Sequence, residues 1–133
     1  MGKTAKDKRD IYYRLAKQEG YRARSAYKLL QVDETFDVFD QVDRVVDLCA
    51  APGSWSQVIS KRLACKGIDV TAEAHLCSVD LFEIADIDGS SRIQGDITRQ
   101  KTVEEIQAVF AGHDVDLVVS DGAPDILGDH DFD

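Results

Sequence analysis

The sequence predicts an α/β fold, a doubly wound parallel sheet preceded by basic helices. Three observations carry that expectation. Short apolar runs alternate with segments of helical periodicity, each run leads to an acid, and 133 residues suffice for one core but not for two. Apolar strands alternating with helices are expected to be parallel and covered on both faces, because each crossover lays a helix against the sheet.

The elements follow in order. Residues 7–18 read as a helix along Ile11, Leu15 and Gln18, with Gly20 as its stop. Ser25 to Asp33 reads as a second helix with Ala26, Leu29 and Leu30 on one face. After the acidic connection "FDVFDQVD", Arg44–Cys49 is the first strand. The turn "CAAPGSWS" then leads into a helix at Gln57–Leu63. "HLCSVDLF", "SRIQGDI" and "DLVVSDGAP" supply strands two to four. Between the last two, "TVEEIQAVF" reads as a helix with a capping box, Thr102 facing Glu105, and with Val103, Ile106 and Phe110 buried.

Asp47, Asp80, Asp96 and Asp121 close the four strands, so four carboxyls are expected to face one crevice. A single acid after a strand is commonly a cap or turn residue. Four at matching ends point to a ligand.

Composition narrows the class. With 44% hydrophobic and 31% charged residues, the protein reads as soluble and globular. No apolar run approaches the roughly 20 residues of a membrane span. The start "MGKTAKDKRDIYYRL" lacks the apolar stretch of a signal peptide, and Lys6 spoils a myristoylation motif. Cys49, Cys65 and Cys77 are odd in number and lack metal-ligand spacing, so free thiols, no metal and a cytoplasmic setting are expected. Cys49 reads as a small apolar filler.

Net charge is −9, yet it is divided unevenly. Residues 1–31 carry nine Lys or Arg against three acids, a local +6, and the remainder sums to −15. A basic arm interleaved with Tyr12, Tyr13, Tyr21 and Tyr27 suits RNA; a solvated helix face is the plainer alternative.

Asp80 lies where doubly wound folds set a carboxylate against ribose hydroxyls. The first turn is neither G-x-G-x-x-G nor G-x-x-x-x-G-K-[ST], and its single glycine makes a poor pyrophosphate cradle. A nucleoside with an amino-acid tail fits better, and S-adenosylmethionine has that shape. A nicotinamide-dependent oxidoreductase fails on the same glycine count and on the lack of a Tyr-x-x-x-Lys pair in the sheet region.

At this point the residues reach a family. "DKRDIYYRLAKQEGYRARSAYKLLQVDE", "DLCAAPGSWSQV", "IQGDIT" and "DLVVSDGAPD", in that order, resemble the FtsJ-type RNA ribose 2′-O-methyltransferases. Within them they are most similar to the eukaryotic branch that methylates the tRNA anticodon loop. The resemblance implies a Rossmann-like sheet of the S-adenosylmethionine-dependent type, tRNA as substrate and an auxiliary protein subunit. It further implies that Gly53 and Trp55 hold the methionine end of the cofactor, Asp80 its ribose and Asp96 its adenine. Asp121 would lie near the sulfonium.

Lys28 and Asp121 match the first two members of the family's catalytic Lys-Asp-Lys-Glu tetrad. From the residues alone, Trp55 as a helix anchor and Lys28 as part of a solvated face stay open. After Asp121 comes only "GAPDILGDHDFD", without Lys or Glu, so the tetrad's second Lys and its Glu are not in the sequence. The sheet is accordingly expected to be incomplete and the sequence truncated at its C-terminal end, without a full catalytic centre of its own. The expected layout is one domain over 1–133, with basic helices and linker at 1–43 and the cofactor-binding half at 44–133. The readings kept beside tRNA methylation are a non-catalytic module that binds the cofactor or RNA, and methylation of ribosomal RNA.

Overall fold

A computed structural model describes residue 11 and residues 14–121. The predicted helix at 7–18 is therefore seen only from within, with residues 14–19 helical and Gly20 turning at φ 83°. The tail "GAPDILGDHDFD" lies outside the described residues.

The elements are α1 (Ala26–Phe36), β1 (Val45–Leu48), α2 (Ser54–Cys65), β2 (Leu76–Asp80), β3 (Ser91–Gln94), α3 (Gln100–Val109) and β4 (Leu117–Ser120). The strands form one parallel sheet in the order β3-β2-β1-β4. This is the α/β class that the sequence predicts. The polypeptide lays β2 and β3 on one side of β1, then returns to pair β4 with the other side. Between the ends of β1 and β4 the order reverses, and such switch points open the crevice in this architecture.

Alternation along β1 divides the core. Val45 faces α1 and α2, packing with Leu29, Trp55, Val58, Ile59 and Leu63. Val46 faces the other side, with Cys77, Val79 and Phe110. The inner strands β1 and β2 are buried, whereas β3 and β4 alternate between half-buried and exposed residues. Coverage on both faces thus holds for the two central strands and not for the outer pair. Outer strands have a neighbour on one side only and draw less of the layer over them.

Other expectations need correction. Helix α1 runs on past Asp33 and ends where Asp37 adopts the left-handed conformation, its N–H donating to Asp33 O at 2.7 Å. Helix α2 starts three residues earlier than predicted, directly after Gly53. The capping box does not form. Arg99 is the cap of α3, without a side-chain bond, and Thr102 is 5% exposed one turn in. Thr102 Oγ1 would lie 2.9 Å from a Cβ on Gly95, so Gly95 is the residue that lets α3 approach β3. Val103 accordingly faces outward at 36% exposure while Phe110 is buried at 2%.

Candidate cofactor site

The predicted acids converge, with one difference. Asp80 is the last residue of β2, Asp96 follows β3 by two residues, and Asp121 follows β4 directly. These three line one cavity of about 400 Å³, together with Cys49, Ala51, Leu81, Phe82, Gly95 and Ile97. Asp47 does not close its strand. It sits inside β1, 1% exposed, and points toward α2 into a smaller cavity that shares Cys49, Ala51 and Asp121 with the larger one.

Backbone amides hold the acids in place. Asp80 Oδ2 accepts from Ala51 N at 2.9 Å and Oδ1 from Phe82 N at 2.8 Å. Asp80 thereby ties the β1–α2 turn to the loop after β2, and each oxygen keeps a lone pair for a ligand hydroxyl. Asp96 Oδ1 accepts from Thr98 N at 2.9 Å and from Thr98 Oγ1 at 2.7 Å. Those two bonds favour the anion and hold its carboxyl below the usual carboxylate range.

Leu81 and Phe82 are 62% and 74% exposed, and Ile97 stands across the cavity at 41%. Large apolar groups left in solvent beside a polar pocket suit a flat ligand face.

At the first turn, Gly53 has φ 116° and caps α2. A Cβ there would meet Ile87 Cδ1 at 2.7 Å and Arg22 Nη1 at 2.8 Å, so glycine is required by both backbone and packing. Trp55 is an anchor: 9% exposed in the α1–α2 core, it donates from Nε1 to Ser25 O at 2.8 Å. It also lines the smaller cavity, so the anchoring and ligand-facing readings coexist. Cys49 is not a filler. It is exposed with φ 58°, on the rim of both cavities.

Lys28, on α1, reaches Asp121 across the sheet end, Nζ to Oδ1 at 3.0 Å. Two residues 93 positions apart, predicted to share a site, are therefore in contact. Lys28 Nζ also stands 6.0 Å over the Trp55 ring.

The sequence reading missed Arg22. Its Nη1 donates to Pro52 O at 3.0 Å and Ala85 O at 2.8 Å, its Nη2 to Asp86 O, and its backbone N to Gln57 Oε1 at 2.8 Å. Gln57 Nε2 returns to Gly20 O at 3.0 Å. One cation of the basic arm thus clasps the first turn and the loop after β2 instead of facing solvent. No local pattern marks it, because its partners are carbonyls 30 to 64 residues away.

This fold and this constellation define an α/β domain with a parallel sheet and acids gathered around one cavity at the strand ends. The chain belongs to the FtsJ-like methyltransferase family, which matches residues 21–133. It is 56% identical over its whole length to the tRNA (cytidine(32)/guanosine(34)-2'-O)-methyltransferase of Homo sapiens, covering 39% of that protein. It is 53% identical to the tRNA (guanosine(34)-2'-O)-methyltransferase of Drosophila melanogaster, with all of its own length and 42% of the relative's aligned. The Ribosomal RNA large subunit methyltransferase E of Methanothrix thermoacetophila is 48% identical over 97% of this sequence and 47% of its own. The crystal structure of a ribosomal RNA methyltransferase from Plasmodium falciparum superposes with a TM-score of 0.65 at 26% identity, over 81% of this protein and 59% of that one. The chain spans less than half the length of these curated relatives.

Proposed function

We propose that this domain binds S-adenosylmethionine and belongs to an enzyme that methylates the ribose 2′-hydroxyl of tRNA anticodon-loop nucleotides. The observation that carries this reading is the convergence of Asp80, Asp96 and Asp121 on one cavity with apolar Leu81, Phe82 and Ile97. The residues fit the cofactor's chemistry. Asp80, with both oxygens oriented by amides, would hold the ribose by accepting from its hydroxyls. Asp96 would hold the adenine end of the cofactor, with the three apolar side chains that line the same cavity. Asp121 and the first turn, with Gly53 and Trp55, would hold the methionine end. When bound, the cofactor supplies an electrophilic methyl group.

The domain's own share of the chemistry is placement. A 2′-hydroxyl holds its proton tightly at neutral pH and needs a base as it attacks. Lys28 and Asp121 are the two tetrad members described, and their 3.0 Å ion pair at the cavity mouth orients the groups around the reacting oxygen. The family resemblance assigns the base itself to the second lysine. Identity of 52–56% to tRNA enzymes over the whole length favours tRNA, and the relative at 48% keeps ribosomal RNA as the second reading. The auxiliary subunit implied by the resemblance belongs to the same proposal.

Calorimetric titration with S-adenosylmethionine, and with NAD for comparison, tests the reading. Saturable binding of the first alone is expected, weakened at least tenfold in Asp80→Ala. A protein that is folded by circular dichroism and binds neither would overturn it.

A further inference from the structure

Cys49 is not used by the function above, yet it stands at the mouth of both cavities. It is exposed, and its left-handed backbone at φ 58° takes it off the line of β1. A buried acid faces the smaller cavity beside it. Asp47 lines that cavity at 1% exposure, and its Oδ1 is buried with no hydrogen-bond partner among the described residues. Its Oδ2 accepts from Ser56 Oγ at 2.6 Å, the first in a row of hydroxyls that continues through Ser78 Oγ to Ser90 Oγ at the same spacing. The larger cavity, beside the same thiol, is lined by Asp80, Asp96 and Asp121.

These acids decide which charge approaches the thiol. Asp121 has Lys28 at 3.0 Å, and Asp96 has Arg99 Nε at 3.9 Å. Asp80 is held by the amides of Ala51 and Phe82. Burial raises the Asp47 carboxyl to about 6, which leaves it ionised at about pH 8. Four carboxylates then meet two cations around Cys49. The other exposed thiol has the opposite setting. Cys65 ends α2 one turn after Lys61 and Arg62 and directly before Lys66. Cys77 is buried and out of reach.

We propose that Cys49 is a covalent modification site for small disulfides that carry an ammonium group, and that the mixed disulfide shuts the cofactor cavity. The second half rests on the cofactor reading above. The Cys49 thiolate attacks one sulfur of the disulfide. The reagent's S–S bond breaks, a new S–S bond forms to Cys49 Sγ, and the other half leaves as a thiol, taking up the proton that Cys49 gave. Cys49 is oxidised and the departing sulfur is reduced. The tethered ammonium then lies among carboxylates that would otherwise face the cofactor, and its arm fills the mouth. Cofactor bound first covers the thiol, so each excludes the other. A reducing thiol reverses the exchange.

The probes are cystamine, cationic at both ends, and dithiodiglycolate, anionic at both ends. Labelling of Cys49 and Cys65 is followed by peptide mass spectrometry at about pH 8, where Cys65 of the same molecule corrects for each reagent's own reactivity. The ratio of Cys49 to Cys65 rates is expected to be at least about tenfold higher with cystamine at roughly 10 mM salt, and to converge for the two reagents towards roughly 1 M. S-adenosylmethionine should slow the labelling of Cys49 and not that of Cys65. Protein labelled by cystamine at Cys49 should lose at least about tenfold in calorimetric affinity for S-adenosylmethionine, and dithiothreitol should restore it. In Cys49→Ser the same treatment should leave affinity where it stood before treatment. The same charge preference at both thiols, or unchanged affinity in protein labelled at Cys49, would overturn the proposal and leave the cofactor reading standing. Wild type that binds no S-adenosylmethionine before treatment removes the cofactor reading, and the charge preference of Cys49 then decides the modification site by itself.

Discussion

Gly53 and Asp47 stand six residues apart and serve the first turn in opposite ways. Gly53 has no alternative, since a side chain there is strained at φ 116° and collides with Ile87 and Arg22. Gly53→Ala should cost about 1–3 kcal/mol in chemical denaturation and weaken cofactor binding more than that loss of stability explains. Asp47 instead burdens the fold. Its carboxyl is raised from 3.8 to about 6, so the folded state binds the extra proton, and stability from this group is full below pH 4 and lost as pH rises through 6. Asp47→Asn should therefore match wild type near pH 4 and exceed it at pH 8. A gain on the order of 2–3 kcal/mol corresponds to that rise in pKa. An equal pH dependence in the two proteins would contradict the assignment.

The arm, α1 and α2 form one positioning unit. Ser25 Oγ meets Ser54 Oγ at 2.8 Å, Trp55 bonds Ser25 O, and Arg22 with Gln57 joins the arm to the first turn. The unit fixes the carbonyls of Pro52, Ala85 and Asp86 on one guanidinium, so it sets the height of the turn relative to the loop after β2. Arg22→Ala should weaken S-adenosylmethionine binding about tenfold, because planar multidentate donation is what lysine or water does not reproduce. Arg22→Lys is expected to rescue little of it. Retained affinity in both variants would show that the turn holds its shape unaided.

Charge is distributed on a larger scale, with +6 on residues 1–31 and −15 on the rest. Such a molecule meets a polyanion arm first, and the acidic remainder repels it elsewhere. Binding of an anticodon stem-loop should fall by about ten- to a hundredfold between roughly 50 and 200 mM salt. Arg24→Glu, on the exposed arm, should flatten that slope, whereas Arg22→Ala should leave it nearly unchanged, since Arg22 is spent on carbonyls. A slope unaffected by Arg24 would place the RNA elsewhere.

How much of this was written in the linear sequence differs from residue to residue. Alternating apolar runs and helical periodicity specified the parallel sheet, because strand and helix burial patterns are local. The acids Asp80, Asp96 and Asp121 were visible for the same reason: each follows its own strand, and parallel strands end on one side. The extent of α1, the outward Val103 and the failed capping box were not visible, since packing against the sheet overrode local propensity. Nor could spacing show that Arg22 leaves the solvated arm, that Cys49 turns outward, or that Asp47 heads a row of serines from α2, β2 and the loop before β3. Those roles depend on burial and on partners far along the sequence. Only the assembled sheet removes the water and brings the partners within bonding distance.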